Sequence, residues 1–148
     1  MSDLKDLYQE VIFDHNRNPR HFGKVEDANR CVKGFNPLCG DRMTLYMKVD
    51  DSGRIADLSF EGSGCAISVA SASMMTDMLV GKTVDEAEAL FQKFHGMMMS
   101  EDDGDEQLGK LQALSGVKGF PSRIKCATLA WHALQAALKD QDKMVSTE

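Results

Sequence analysis

The sequence has no long apolar run, no excess of basic residues and few prolines, and each absence excludes a class of protein. No segment approaches the roughly 20 consecutive apolar residues of a membrane-spanning helix. The chain has 23 Asp and Glu against 17 Lys and Arg, a net charge of −6, so it lacks the basic excess needed to bind a nucleic-acid backbone. Its three prolines do not mark a linker. We therefore expect residues 1–148 to form one globular domain that binds neither nucleic acid nor membrane.

The first ten residues also lack the features of a targeting sequence. They contain acidic side chains and no apolar core, which is unlike a secretory signal or a transit peptide. We therefore expect a cytoplasmic protein, in which thiols stay reduced. Its four cysteines are then candidates for metal binding or nucleophilic chemistry rather than for disulfides: Cys31, Cys39, Cys65 and Cys126.

Hydrophobic periodicity predicts early strands followed by helices. Apolar residues at helical spacing predict a first helix that ends before Asn16. Alternation over residues 43–49 and 55–60, with a turn between them, predicts a β-hairpin, and residues 30–35 are a third candidate strand. Later helices are predicted over residues 66–78 with Gly81 after its end, from a capping box at Thr83 to Gly96, around Leu108, Leu111 and Leu114, and over residues 124–138. This order favours an α+β fold, a small three-stranded antiparallel sheet with helices packed on one face.

Three of the cysteines lie where the chain is predicted to turn or to begin a helix. Cys39 lies in a turn between Pro37 and Gly40, Cys65 follows Gly-Ser-Gly and opens a helix, and Cys126 lies near the start of the last helix. A helix N-terminus lowers the pKa of a thiol and favours thiolate, the form that binds metals and attacks sulfur. The alternative is that these cysteines are small apolar core residues.

The spacing of these cysteines indicates that any shared site is built by the fold. The intervals of 25 and 60 residues are unlike the paired Cys-x2-Cys knuckles of a zinc finger. Asp41 follows Cys39 by two residues and could add an oxygen ligand. Three thiolates and one carboxylate are an acceptable four-coordinate set for Zn²⁺, and they leave a net negative charge that Arg123 and Lys125 could offset.

Three sequence motifs together resemble the IscU/SufU family of iron–sulfur cluster assembly proteins. They are Asn-Pro-x-Cys-Gly-Asp at 36–41, Gly-Ser-Gly-Cys-Ala-Ile-Ser at 62–68 and Phe-Pro-Ser-Arg-Ile-Lys-Cys-Ala-Thr-Leu-Ala-Trp at 120–131. The resemblance covers nearly the whole chain. It implies an α+β fold and a site formed by Cys39, Asp41, Cys65 and Cys126, and it implies a partner cysteine desulfurase that passes on sulfur as a persulfide.

Two features favour the SufU branch of this family. The scaffold branch typically has His before the last cysteine, where this chain has Lys125, with Arg123 two positions earlier. The interval between Cys65 and Cys126 is also longer than in that branch, with the extra length around residues 96–118. The SufU branch implies bound zinc, a SufS-type desulfurase as partner and further SUF assembly proteins downstream.

The leading hypothesis is therefore a sulfurtransferase-like carrier, in which Cys39 accepts sulfur and Arg123 stabilises its thiolate. The alternative is a scaffold that uses the same ligands to hold iron or a transient [2Fe-2S] cluster and passes it to apo-proteins. A third hypothesis is a structural zinc module without transfer chemistry.

The remaining reactive residues are expected to lie outside the site. Cys31 matches no ligand of the family and is expected to be a packing or surface residue. The four histidines lie away from the three motifs, and the acidic residues 101–106 are expected to form a solvated loop. The methionines at 74, 75, 78 and 97–99 are expected to belong to the core.

Overall fold

A computed structural model of the chain describes residues 2–37, 40–99, 106–139 and 144–146, with side chains over 9–37, 40–99 and 108–139. Four α-helices, one 3₁₀ segment and four strands follow one another along these residues. In chain order they are α1 (Ser2–Arg17), β1 (Arg30–Asn36), β2 (Asp41–Val49), β3 (Ile55–Ser63), α2 (Ala66–Leu79), α3 (Val84–Met99), the 3₁₀ segment (Glu106–Val117), α4 (Pro121–Leu138) and β4 (Met144–Ser146). The order of early strands and later helices confirms the predicted α+β fold.

The sheet has the strand order β3-β2-β1-β4. The three predicted strands are confirmed, and they pair antiparallel, with Asn36 opposite Asp41 and Arg42 opposite Ser63. The short β4 pairs parallel to β1 and was not predicted, because three residues are too few to show an alternating pattern. This register brings the end of β1, the start of β2 and the end of β3 to the same edge of the sheet.

One face of the sheet is covered by helices. Along β2 the side chains of Met43, Leu45 and Met47 are buried, and the residues between them are less buried or exposed, as expected for a sheet with one solvated face. Helices α2 and α4 contact this sheet, and α1 packs on α2. Helices α2 and α4 carry Cys65 and Cys126 at or near their N-terminal ends, so their packing brings these cysteines to the sheet edge.

Several predicted helix boundaries differ from the structure. Helix α1 continues to Arg17 rather than ending before Asn16, and α4 begins at Pro121 rather than at residue 124. Helix α3 continues past Gly96 to Met99, because Met97 and Met98 are buried in the core as predicted. The same prediction is wrong for Met99, which is 63% exposed at the end of the helix. The segment around Leu108 is a 3₁₀ helix interrupted at Gly109, and its three leucines are buried. Their strict spacing of three residues fits the three residues per turn of a 3₁₀ helix.

Candidate metal centre

Three of the four predicted ligands converge at the sheet edge. Asp41 is the first residue of β2, Cys65 immediately precedes α2, and Cys126 lies on α4. Their ligand atoms, a carboxylate oxygen and two sulfurs, all lie within 4.8 Å of one another. This is the one group of three or more His, Cys, Asp or Glu residues with metal-binding geometry in the described part of the chain.

The carboxylate of Asp41 is held from both sides. Asp41 is fully buried, its Oδ1 accepts a hydrogen bond from the backbone N–H of Cys65 at 2.8 Å, and its Oδ2 accepts one from the Nδ2 of Asn36 at 3.0 Å. A Cβ added at Gly64 would lie 2.5 Å from Oδ1. Because glycine has no Cβ, the backbone at residue 64 can lie this close to the Asp41 carboxylate. Each carboxylate oxygen retains acceptor capacity after one hydrogen bond.

Cys65 is the N-cap residue of α2. Its backbone is extended (φ −72°, ψ 166°) and its Sγ accepts a hydrogen bond from the backbone N–H of Ser68 at 3.5 Å. The side chain is partly exposed. The Cys65 sulfur therefore satisfies one of the N–H groups of the first helical turn that have no partner within the helix.

Cys126 has a different environment from Cys65. Helix α4 begins at Pro121, so Cys126 lies in its second turn, where the influence of the helix N-terminus has faded. The side chain is 1% exposed, and its Sγ lies 3.5 Å from both the carbonyl oxygen of Ser122 and the Nδ2 of Asn36. The Cys126 sulfur is therefore contacted by a backbone carbonyl and by the side-chain amide of Asn36.

Cys39 and residues 101–105 lie outside the described residues. The predictions that Cys39 is a ligand and acceptor, and that the acidic segment is a solvated loop, therefore stay predictions.

The two cations within the last motif are on the surface. Arg123 and Lys125 are both exposed at the start of α4. The guanidinium of Arg123 lies over the ring of Phe120, with 5.9 Å to the ring centroid. Arg123 also borders a cavity of about 270 Å³ between α1, α2 and the 3₁₀ segment, and the exposed Phe13 lines the same cavity. Among the described residues, Arg123 forms no ion pair with a carboxylate.

The donor set fits a zinc ion. Zn²⁺ binds Cys sulfur at about 2.3 Å and carboxylate oxygen at about 2.0–2.2 Å. Two ligand atoms of a tetrahedral zinc site therefore lie roughly 4 Å apart or less. The spacing of Asp41, Cys65 and Cys126 requires only small side-chain movements to reach that separation. Hydrogen bonds from Asn36 and Cys65 to the carboxylate supply the outer contacts that orient metal ligands in proteins.

The other reactive side chains lie elsewhere. Cys31 is exposed on β1, as predicted for a surface residue. None of the four histidines belongs to the Asp41, Cys65 and Cys126 group. Burial lowers the pKa of His15, whose Nδ1 contacts Ser73 Oγ at 2.7 Å, and it also lowers the pKa of His132.

Residues 7–147 match the family described as the NifU-like N-terminal domain. The chain belongs to this family. Its relatives in the IscU/SufU group include the iron–sulfur cluster assembly scaffold protein IscU of Streptococcus pyogenes serotype M1, which is 44% identical over 94% of this chain and 87% of the relative. The zinc-dependent sulfurtransferase SufU of Bacillus subtilis is also 44% identical, over 95% of each chain. The family predicted from the three motifs is therefore confirmed.

Two solved structures share the fold. A SUF-system scaffold protein (FiSufU) from Fervidobacterium islandicum AW-1 matches with a TM-score of 0.82 and 38% identity, over 87% of this chain and 94% of that one. The N-terminal part of a NifU-like protein from Brucella abortus, 23% identical, matches with a TM-score of 0.83 over 93% and 95% of the two chains. Within the described residues, no helix is both long and apolar enough to cross a membrane.

Two contributors to the site were missed by reasoning from the sequence. Asn36 and Gly64 bear directly on Asp41, yet neither carries reactive chemistry of its own. The available signal was their position: Asn36 opens the first cysteine motif, and Gly64 directly precedes Cys65 in the second.

Proposed function

We propose that this protein accepts sulfur from a cysteine desulfurase during iron–sulfur cluster assembly, with zinc bound at the sheet edge. The observation that carries the proposal is the convergence of Asp41, Cys65 and Cys126 within 4.8 Å. The 44% identity to a zinc-dependent sulfurtransferase supports the zinc form of the activity. We propose a cytoplasmic location, a SufS-type desulfurase as the partner and further SUF assembly proteins downstream.

Asp41, Cys65 and Cys126 would hold the metal together with Cys39. Cys39 is two residues from Asp41, a chain length that spans at most about 7 Å between Cα atoms. When bound, Zn²⁺ would keep the cysteine sulfurs deprotonated without introducing redox chemistry of its own. Hydrogen bonds from Asn36 and from the Cys65 backbone fix the orientation of Asp41.

The transfer step is a displacement at sulfur. The thiolate of Cys39 attacks the outer sulfur of a persulfide on the desulfurase, a new sulfur–sulfur bond forms on Cys39, and the bond to the donor cysteine breaks. The electron pair of that bond leaves with the donor cysteine as a thiolate, so no external oxidant or reductant is required. Arg123, in the turn of α4 before Cys126, supplies positive charge that stabilises the attacking thiolate.

The environments of the other two site cysteines support Cys39 as the acceptor. Cys126 is 1% exposed, so a persulfide on a partner protein could not reach its sulfur without an opening of the fold. Cys65 is the N-cap of α2 and is tied to Ser68 and Asp41 through its sulfur and its backbone N–H. Both are suited to staying in place as ligands.

A desulfurase turnover assay tests this function. Purified SufS-type desulfurase is supplied with cysteine, and sulfide production is measured with wild type, Cys39→Ala and Cys31→Ala proteins of equal zinc content. Cys31 is the matched control because it is an exposed cysteine outside the site. We expect wild type and Cys31→Ala to stimulate turnover equally and Cys39→Ala not to stimulate it. Equal stimulation by Cys39→Ala would refute the proposal.

The second candidate function is a scaffold for cluster assembly. It is favoured by the 44% identity to a protein named as an IscU scaffold. Iron and sulfide would then be substrates assembled on the same Cys and Asp ligands. Anaerobic reconstitution followed by visible spectroscopy separates the two: a stoichiometric [2Fe-2S] spectrum that passes to an apo-protein would favour the scaffold over the sulfur acceptor.

A further inference from the structure

Asn36 contacts two of the proposed ligands at once. It is the last residue of β1, its side chain is fully buried, and it pairs with Asp41 in the sheet register. Its Nδ2 lies 3.0 Å from Oδ2 of Asp41 and 3.5 Å from Sγ of Cys126. A primary amide nitrogen carries two hydrogens, so one can be donated to each of these acceptors.

The chemistry of the two neighbours fixes which end of the amide faces the site. An ionised carboxylate only accepts hydrogen bonds, and a cysteine sulfur that ligates a metal has lost its proton. The opposite orientation would place the amide oxygen of Asn36 against the carboxylate oxygen of Asp41, with no hydrogen between them. The amide nitrogen therefore faces both ligands.

We propose that Asn36 is a positioning residue that holds Asp41 and Cys126 at the spacing of a single metal ion; this inference rests on the metal site proposed above. Asp41 begins β2 and Cys126 lies on α4, so the two ligands come from distant parts of the sequence. The Asn36 side chain links them through its two donors. Because all three side chains are buried, water cannot readily replace the amide when it is removed.

An amide suits this position better than a cation would. A Lys or Arg would donate to the same acceptors, but its positive charge would compete with the metal for the carboxylate and the sulfur. Asn36 orients both ligands and leaves their negative charge available to the ion. Outer contacts of this kind typically contribute about 10- to 100-fold to metal affinity.

The test compares metal binding by wild type and Asn36→Ala proteins. Zinc affinity is measured in competition with a chromogenic chelator, and Co²⁺ is bound separately as a spectroscopic probe of ligand geometry. We expect Asn36→Ala to bind zinc about 10- to 100-fold more weakly and to alter the cobalt bands that report thiolate ligation and tetrahedral geometry. Asn36→Ser retains one hydroxyl donor, so its zinc affinity should lie between those of wild type and Asn36→Ala.

Asn29→Ala is the matched control. Asn29 directly precedes β1, and its amide also makes two hydrogen bonds to β2, donating to the carbonyl oxygen of Val49 at 2.8 Å and accepting from its N–H at 3.0 Å. It lies at the opposite end of the strand from Asn36. Its removal should therefore affect the stability of the sheet and leave zinc affinity and the cobalt spectrum unchanged.

The possible outcomes separate this inference from the proposed function. Wild type that binds neither ion would overturn the metal site and the inference together. If Asn36→Ala folds, binds zinc with the wild-type affinity and shows the wild-type cobalt spectrum, the inference alone is overturned. If Asn29→Ala and Asn36→Ala lose zinc affinity equally, or if neither Asn36 variant folds, the Asn36 amide stabilises the sheet rather than the ligands.

Discussion

The backbone N–H of Cys65 donates a hydrogen bond to Oδ1 of Asp41 at 2.8 Å. The bond joins the start of β2 to the start of α2, so one proposed ligand orients another through its main chain. The direction of the Asp41 carboxylate thus depends on how the chain enters α2. Substitutions on that path should alter metal binding even when every ligand is retained.

Gly64→Ala is the first such substitution. The added Cβ would lie 2.5 Å from Oδ1 of Asp41 and 3.0 Å from its Cγ, and the buried carboxylate has little room to move. We expect zinc affinity to fall by about tenfold or more. Gly119→Ala is the control, since a Cβ there meets nothing within 4 Å. Equal zinc affinity in the two variants, measured by chelator competition, would contradict the close approach described for Gly64.

Cys65→Ser should separate the capping role of this residue from its ligand role. Serine is a strong N-cap residue, and its oxygen can accept the Ser68 N–H that Cys65 Sγ now accepts. We expect the metal-free variant to unfold in urea with a free energy equal to that of wild type or up to about 1 kcal/mol higher. The stabilisation that zinc gives to wild type should be largely lost. A metal-free variant clearly less stable than wild type would argue against the capping role.

Arg123→Ala should slow sulfur acceptance without changing zinc affinity. The guanidinium rests on Phe120 in the first turn of α4, and Arg123 forms no described bond to Asp41, Cys65 or Cys126. A cation that favours a thiolate by one pKa unit contributes about tenfold, which is the slowing we expect in single-turnover transfer. Lys139→Ala, at the other end of α4, makes the same change in net charge and should transfer at the wild-type rate. Equal rates of sulfur transfer for Arg123→Ala and Lys139→Ala would contradict a role for Arg123 in the transfer step.

The metal-free protein should lose stability as the pH falls below the ordinary histidine pKa of 6.5. Burial lowers the pKa of His15; positive charge on Arg20 and Lys110 lowers it further, while Asp14 and Asp77 oppose the shift. Below pH 6.5 the unfolded chain therefore binds a proton that folded His15 does not, and the free energy of unfolding decreases. His132, whose pKa is lowered by burial and by His95, acts in the same direction.

Urea unfolding above and below pH 6.5 measures this dependence on chelated protein. His15→Gln should show a weaker decrease in the free energy of unfolding than wild type. Hydrogen bonds lower the pKa values of the Asp14, Asp50 and Glu86 carboxyls from ordinary values that already lie below this pH window, so these groups do not contribute to the decrease. If the free energy of unfolding of His15→Gln depends on pH as strongly as that of wild type, burial of His15 does not cause the decrease.

The sequence predicted local features of this protein better than long-range ones. The Gly-Ser-Gly-Cys motif placed Cys65 correctly at the start of α2, and alternation over residues 43–49 predicted β2, which begins two residues earlier at Asp41. The bond from Asn36 to Cys126 joins residues 90 positions apart, and no periodic pattern indicates such a contact. The end of α3 was wrong because packing of Met97 and Met98 outweighed the glycine before them.

The most direct test of sulfur acceptance at Cys39 is the mass of the zinc-loaded protein after reaction with a SufS-type desulfurase and cysteine. Intact-protein mass spectrometry followed by peptide mapping, under non-reducing conditions, locates any added sulfur. We expect a gain of the mass of one sulfur atom, on the peptide that contains Cys39, with zinc present in the starting protein. No added sulfur, or sulfur carried on the exposed Cys31 instead, would contradict sulfur acceptance at Cys39.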